Sequence, residues 1–212
     1  MNHFTPAETA AVYRAIAERR DIRHFLPDPV APAVLARLLQ AAHQAPSVGF
    51  MQPWRFLRIT DAMVRSTLCQ LVEQERQRTA AALNARGQEF LRLKVEGLRE
   101  CGEVLVVALM DERETHVFGR RTLPEMDLAS VACAIQNMWL AARAEGLGMG
   151  WVSIFDPEQV RLALQMPTGA QPVAILCLGH VAEFYSRPML ETEGWAARAD
   201  LAELVFENRW PA

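Results

Sequence analysis

Two uninterrupted apolar runs constrain the fold of this chain more than any other feature of its sequence. They span Val104–Met110 and Pro172–Gly179. A short run without polar alternation is typical of a strand buried on both faces, because each face then needs apolar side chains. We therefore expect both runs to be central strands of a sheet that helices cover on both faces, as in an α+β protein.

Prolines, glycines and side-chain periodicity predict the remaining elements of a single domain spanning residues 1–212. Helices are predicted at Pro6–Arg19, Pro32–Gln44, Met126–Glu145 and Asp156–Leu164, and further strands at Arg55–Ile59 and Gly148–Ile154. The highly charged stretch from residue 61 to residue 100 is helix-prone and is broken near Asn84–Gly87. We expect this stretch to form two helices in an exposed, lid-like excursion.

The helix predicted at Met126–Glu145 is apolar on almost every side. A helix of this kind must be enclosed by a sheet, by other helices or by another subunit. One small subunit cannot easily cover it on all sides, so we expect a homodimer.

Composition argues against several classes of partner. The 212 residues carry a formal net charge of -3, which argues against a nucleic-acid-binding surface. No apolar run is long enough to span a bilayer, the N-terminus has no signal-peptide pattern, and the four cysteines lack metal-site spacing. We expect a cytoplasmic protein with buried, reduced thiols, no bound metal, and no nucleic-acid or membrane partner.

The segment Arg19–Arg23 follows the first helix and holds three arginines and one aspartate. Guanidinium groups are permanently charged and match the geometry of phosphate, so the segment predicts an anion site. Alternatively, the arginines cap the carbonyl end of the helix. Asp21 repels a phosphate unless it faces elsewhere or takes part in the chemistry, and the adjacent arginines are expected to lower its pKa.

A second candidate region is the loop Ala45–Trp54, which is unusually apolar for a connection and carries Ser47 and Gln52. Such a loop is expected to cover or line a site, although loops routinely carry both residue types. A late arginine, Arg187, precedes a proline. Gly146–Gly150 superficially resembles a dinucleotide loop, but it follows a helix and precedes a strand, the reverse of the order that dinucleotide binding needs.

Taken in order, four motifs resemble the FMN-dependent nitroreductase superfamily over nearly the whole chain. They are the arginine segment, the PS and QPW residues of the loop at 46–54, the apolar helix ending in Glu145–Gly148, and the basic residue of Ser186–Pro188. Asp21 in place of a serine and Phe50 in place of an asparagine resemble one subgroup, whose members fragment their flavin. Long motifs at residues 45–56, 119–131, 134–148 and 150–157 are similar to the same subgroup.

The resemblance implies an enzyme that uses molecular oxygen to fragment reduced FMN into 5,6-dimethylbenzimidazole, the lower ligand of cobalamin, and erythrose 4-phosphate. FMN is then the substrate, oxygen is the co-substrate, and no metal is required. The resemblance also implies an α+β three-layer sandwich, in which a mixed, mostly antiparallel sheet carries helices on both faces. It further implies a homodimer with the flavin site at the subunit interface. A separate flavin reductase is expected to supply the reduced FMN.

The resemblance assigns the flavin site residue by residue. The phosphate and ribityl contacts correspond to Arg19, Arg20, Arg23, Ser47 and Arg187. The neighbourhood of the flavin ring corresponds to Gln52 and Trp54, and the strand beside the flavin to Trp151, Val152 and Ser153. The arginine segment also contributes Asp21 and Ile22. Asp21 is the predicted general base, because an ionised carboxylate near the ribityl chain can accept a proton as a carbon–carbon bond breaks. Its simpler role is an exposed ion pair with an arginine. Ser153 is predicted at the reactive edge of the flavin, with a backbone-bonded hydroxyl as the alternative.

Two other functions stay open at this stage. An ordinary nitroreductase or flavin reductase would retain FMN and consume NAD(P)H, whereas a non-enzymatic carrier would only store the flavin. Asp21 and Phe50 favour the fragmentation reaction, because both depart from the general pattern of the superfamily.

Overall fold

A computed structural model describes residues 3–210, which form seven α-helices and one four-stranded sheet. The helices are α1 (Pro6–Glu18), α2 (Pro32–His43), α3 (Ala62–Ala82), α4 (Gly87–Arg92), α5 (Met126–Ala144), α6 (Pro157–Ala163) and α7 (Met189–Thr192). The strands are β1 (Trp54–Arg58), β2 (Glu103–Leu109), β3 (Gly148–Val152) and β4 (Gln171–Gly179). The four predicted helices outside residues 61–100 are confirmed to within one residue at each end.

The helices begin where the sequence supplies acceptors for their first N–H groups. At α1, Glu8 N donates to Thr5 Oγ1 while Thr5 N donates to the Glu8 carboxylate, which forms a capping box. Asp61 caps α3 and Asp156 caps α6, each by accepting from two backbone N–H groups. Local side-chain chemistry therefore sets these boundaries.

The sheet has the strand order β1-β2-β4-β3, and all three pairings are antiparallel. β1 and β3 are consequently its two edge strands. A single parallel bridge joins Asp21 to Met149 of β3. The predicted mostly antiparallel sheet is confirmed, and its mixed character is limited to this bridge between the arginine segment and an edge.

Helices cover both faces of the sheet, which confirms the three-layer architecture. Side chains of successive β2 residues point to opposite faces. Leu105, Val107 and Leu109 join a core with residues of α2 and α5, while Val104, Val106 and Ala108 join a second core with residues of α3 and α6. All seven residues of β2 are buried, as expected for a central strand with an apolar sequence.

The segment from residue 61 to residue 100 differs from the exposed excursion expected for it. Leu68, Cys69 and Val72 of α3 are buried in the core of one sheet face. The second helix, α4, ends at Arg92 instead of continuing to residue 100. The polar and charged residues of α3 hide a narrow apolar stripe in its sequence, because a helix needs only one side to pack against a sheet.

Helix α5 is also only partly enclosed within one chain. Its inner face is buried, but Leu128 is 44% exposed and Cys133 is exposed as well. Cys133 thus corrects the expectation that the thiols are buried, whereas the other three cysteines are buried. Among the described residues, no helix combines the length and the apolar character needed to cross a bilayer.

Candidate active site

The arginine segment is fixed against the edge strand β3 by its backbone. Ile22 N donates to Met149 O at 3.0 Å, and the Ile22 side chain is fully buried in the core. Gly150 permits this approach, because a Cβ atom there would lie 2.2 Å from Ile22 O and 2.5 Å from Arg23 Nη1. The glycine of the predicted strand therefore has a specific packing role. It leaves space for the residues that flank Asp21.

The carboxylate of Asp21 is held at both oxygens. Oδ1 accepts from Trp151 N at 2.9 Å, and Oδ2 accepts from Arg23 Nη2 at 2.5 Å. The same Arg23 nitrogen donates to Trp151 O at 2.8 Å. Asp21 nevertheless keeps 45% of its side-chain surface exposed. The carboxylate is thus oriented by the strand and still accessible to a ligand. Its partner Arg23 is only 7% exposed, so the pair is not an ordinary surface ion pair.

The pKa of Asp21 is raised, which corrects the expectation that the neighbouring arginines lower it. Although part of the side chain is exposed, many protein atoms surround the carboxyl group. The resulting loss of water is the dominant cause of the raised pKa, since it disfavours the charged form. Arg23, the Trp151 N–H group and Arg19 oppose this effect but do not overcome it. The charge pattern of the sequence contains the arginines, whereas desolvation depends on the three-dimensional packing.

Two cavities meet at Asp21. The larger has a volume of about 600 Å³ and the smaller about 180 Å³, and Asp21, Met189 and Leu190 line both. The larger cavity is lined by four guanidinium groups and by two carboxylates, which belong to Arg19, Arg20, Arg187, Arg198, Asp21 and Glu191. It is therefore suited to an anionic group of a ligand.

The smaller cavity is lined mainly by aromatic and aliphatic residues. They are Phe90, Leu93, Val95, Trp151, Val152, Ile154, Met189, Leu190 and Trp195, together with Asp21, Arg23 and Ser153. The Val152 side chain itself belongs to the core. Ser153 is exposed, and its hydroxyl forms no hydrogen bond with any other described residue. The Ser153 hydroxyl is therefore not hydrogen-bonded to the backbone, which is the alternative role considered for it.

The three arginines of the segment have different surroundings. Arg20 donates to the carbonyls of Ala17, Arg19 and Ser186, so capping of the first helix, the simpler interpretation, holds for this residue. Its buried Nε has no partner among the described residues. The Arg19 guanidinium lies 4.5 Å from the centre of the Trp139 ring. Arg23 faces Asp21 and the smaller cavity, so the structure does not place it with the others as a phosphate ligand.

Ser47, Gln52 and Trp54 lie at the opposite edge of the sheet and line neither cavity. Three inter-strand spacings, about 14 Å, separate the two edge strands. Ser47 Oγ accepts from Gln52 N at 3.1 Å, and Trp54 is buried with its Nε1 donating to His43 Nδ1 at 3.3 Å. One chain therefore does not bring the two groups of predicted residues together.

The loop of Ser47 has an unusual backbone. Gly49, Phe50 and Gln52 all have positive φ angles, near 50°. Such angles are costly for residues other than glycine, and residues held in them occur most often at functional sites. Phe50 is in addition 82% exposed. The loop thus presents a strained backbone and an apolar side chain to the outside of the chain.

Sequence reasoning missed the contribution of residues 189–198. Met189, Leu190, Trp195 and Arg198 line the cavities, but the tail after Arg187 is too mixed in composition for secondary structure to be predicted. The available signal was weak. A tryptophan and an arginine follow Gly194 closely, which indicates a packed turn more than a free tail.

No group of three or more potential metal ligands of the His, Cys, Asp and Glu types occurs within residues 3–210.

Comparisons with known proteins agree with the fold. Residues 16–180 match the model of the Nitroreductase family. The chain belongs to the nitroreductase family. The crystal structure of oxidized iodotyrosine deiodinase bound to FMN and 3-iodo-L-tyrosine has the same fold, with a TM-score of 0.73 at 22% identity over 94% of this chain and 100% of that one.

Two curated relatives confirm the predicted subgroup and show that the chain is an enzyme. The 5,6-dimethylbenzimidazole synthase of Rhodospirillum rubrum is 44% identical over 186 residues, which cover 85% of this chain and 86% of the relative. A protein of the same name from Rhodobacter capsulatus is 36% identical over 198 residues, which cover 91% of this chain and 94% of the relative.

Proposed function

We propose that the protein uses molecular oxygen to fragment reduced FMN into 5,6-dimethylbenzimidazole and erythrose 4-phosphate. The observation that carries this proposal is the position of Asp21, between an arginine-lined cavity and a largely apolar one. FMN has a phosphate at one end, a flat aromatic ring at the other, and a ribityl chain between them. A carboxylate at the junction would lie beside the chain, where the carbon–carbon bond breaks.

The larger cavity fits the phosphate end. Its volume of about 600 Å³ falls within the usual range of small-molecule sites. Arg19, Arg20 and Arg187 would supply charge-assisted hydrogen bonds to the phosphate, and the unpartnered Nε of Arg20 is a donor that such a ligand can satisfy. Fixing the phosphate holds the ribityl chain in place while the ring reacts.

The smaller cavity fits the reacting ring edge. Its volume of about 180 Å³ and its largely apolar walls favour an aromatic group. When bound, the reduced flavin supplies the electrons that oxygen takes up. Ser153 has a free hydroxyl at this cavity and can donate a hydrogen bond to a polar atom of the ring.

Asp21 is the residue that would make this enzyme break its flavin down instead of retaining it as a cofactor. Its two oxygens are oriented by Trp151 N and Arg23, and a carboxylate has further lone pairs with which to accept a proton. A raised pKa makes this carboxylate a stronger base than an ordinary aspartate. We assign it the proton that must leave the ribityl chain as the carbon–carbon bond breaks.

The active unit in this proposal is a homodimer. The three predicted flavin contacts of the β1 edge, Ser47, Gln52 and Trp54, line neither cavity of their own chain, and α5 leaves apolar residues exposed. A two-fold axis would place the loop of one subunit beside Asp21 of its partner. A separate flavin reductase would supply the reduced FMN. The location of the protein in the cytoplasm remains a prediction.

The proposal is tested by mixing the protein with chemically reduced FMN and admitting air. We expect the flavin to be lost in proportion to the 5,6-dimethylbenzimidazole and erythrose 4-phosphate that chromatography recovers. Quantitative return of yellow FMN, with steady NAD(P)H consumption when that reductant is supplied, would instead identify a flavin reductase. Tight binding without turnover would identify a carrier. The named function of the two relatives favours the first result.

A further inference from the structure

A fourth arginine, Arg198, lines the larger cavity although it lies in the C-terminal tail. It faces the same space as Arg19, Arg20 and Arg187. Its side chain has no hydrogen bond or ion pair with another residue of the described range 3–210. The Arg198 guanidinium is therefore available to a ligand of this cavity.

The chain before Arg198 is anchored, so this arginine is not on a free end. The Trp195 ring lies 6.2 Å from the Phe90 ring, and the Arg86 guanidinium stacks on Trp195 at 3.6 Å from its centre. Arg86 Nη2 also donates to Trp195 O at 3.1 Å. Arg198 follows this anchor by three residues, and the anchor keeps it near the cavity.

The other arginines of this cavity already use part of their donor capacity within the protein. A phosphate monoester presents three strongly accepting oxygens and between about one and a half and two negative charges at neutral pH, so it can use several guanidinium donors. Arg20 is bonded to three carbonyls, Arg19 stacks on Trp139, and Arg23 is directed to Asp21. Among the arginines of the larger cavity, only Arg187 and Arg198 have no such contact with a described residue.

The positive groups in this cavity also act on one another. The pKa of Arg19 is lowered, first by burial and then by the nearby charges of Arg20 and Arg198, while Asp21 acts in the opposite direction. Such mutual repulsion is relieved when an anion binds between the cations. The cavity is therefore more favourable to a dianion than to a neutral group of equal size.

We infer that Arg198 binds the phosphate of the flavin together with Arg187 and makes the site select FMN over riboflavin. This assignment rests on the proposed function, because the phosphate is that of the proposed substrate. Riboflavin has the same ring and ribityl chain without the phosphate. A residue that contacts only the phosphate must therefore affect the two flavins differently.

The test is an anaerobic equilibrium dialysis of the full-length protein with dithionite-reduced FMN and with dithionite-reduced riboflavin. Arg198→Gln is expected to weaken FMN binding about tenfold, the loss of one charge-assisted contact, and to leave riboflavin binding unchanged. It should also reduce the dependence of the FMN dissociation constant on salt. Arg198→Lys should restore part of the affinity, since it keeps the charge.

Arg209→Gln is the matched control, because Arg209 is exposed in the same tail but lines no cavity described here. It should change neither dissociation constant. An unchanged FMN-to-riboflavin preference in Arg198→Gln would overturn the inference. Equal weakening of both flavins would overturn it too, since it would assign Arg198 to the folding of the tail. Failure of the proposed function would show differently: the unaltered protein would return intact FMN from the aerobic assay, whatever the flavin preference of Arg198→Gln in the dialysis.

Discussion

The two edges of the sheet present opposite kinds of surface. At the β3 edge, both oxygens of Asp21 are hydrogen-bonded, Ile22 is buried, and two cavities open around a fixed carboxylate. At the β1 edge, the loop before Trp54 has three positive φ angles, exposes Phe50 and lines neither of these cavities. The β3 edge therefore has a well-ordered cavity around Asp21, whereas the β1 edge exposes an apolar residue that contributes to neither cavity.

This difference explains why the predicted residues fall into two groups. The positive φ angles of this loop lower the free energy of unfolding, and residues held in such conformations occur most often at functional sites. In a two-fold dimer the β1 edge of each chain can complete the β3 edge of the other. Each chain would then hold half of two identical sites. The following predictions test that arrangement, from the largest expected effect to the smallest.

The largest effect is expected from mixing two inactive variants. Asp21→Asn removes the base at the β3 edge. Ser47→Asp keeps the acceptor for Gln52 N but places a negative charge where the phosphate is expected. Each variant alone should make almost no 5,6-dimethylbenzimidazole. After unfolding and joint refolding, random pairing should restore about a quarter of the parent rate, because half of the dimers carry one intact site of two. A mixture that stays inactive would mean that one chain builds the whole site.

The next largest effect concerns the close approach at the β3 edge. In Gly150→Ala, the new methyl group would press against Ile22 O and Arg23, and overpacking of this kind costs about 1 to 3 kcal/mol. We expect a lower free energy of unfolding in urea and a loss of product of at least about tenfold, since Asp21 is displaced. Gly146→Ala is the comparison, because a Cβ there meets nothing within 4 Å. It should lose about 1 kcal/mol through its positive φ but keep its activity.

These expectations also mark what could be predicted from sequence. The apolar runs and proline boundaries predicted the strands and most helices, because those signals act locally. The long motifs predicted the family, and the structure brings two of the residues that they singled out, Asp21 and Ser153, to the same cavity. The apolar stripe of α3 escaped notice because its four buried residues lie among polar and charged neighbours.

The features of the site that the sequence does not show have a common physical cause. The direction of the Asp21 pKa shift depends on how much water the fold removes, and the position of Arg198 depends on the Trp195 anchor. Neither quantity is present in a local pattern of residues. The separation of Ser47 from Asp21 is likewise a property of strand order, which places residues on opposite edges.

A moderate effect is expected in the dependence on pH. Because burial raises the pKa of Asp21, the proton acceptor is lost as the pH falls through a value above the usual aspartate range. Single-turnover product formation should therefore rise with pH through that raised pKa. The folded state also binds this proton more tightly than the unfolded state. Stability should fall as pH rises between the ordinary and the raised pKa, and this slope should vanish in Asp21→Asn. An ascending limb at the ordinary aspartate pKa would contradict the assignment.

The smallest effect concerns the β1 edge. Gln52 has a φ of 50°, so Gln52→Gly should raise the free energy of unfolding by about 1 kcal/mol through relief of strain. The same change should weaken binding of reduced FMN, because a flexible loop loses its fixed shape. Urea unfolding and anaerobic dialysis measure the two quantities. Gain of stability together with unchanged affinity would remove this loop from the site.

The central claim is that Asp21 makes the protein consume its flavin instead of reusing it. The most direct measurement is a single turnover in which Asp21→Asn, preloaded anaerobically with one equivalent of reduced FMN, is mixed with oxygenated buffer. We predict that FMN binds with the affinity of the parent to within a few-fold, that oxygen reoxidises it, and that intact FMN is recovered without 5,6-dimethylbenzimidazole. Formation of 5,6-dimethylbenzimidazole at the parent rate would contradict the account.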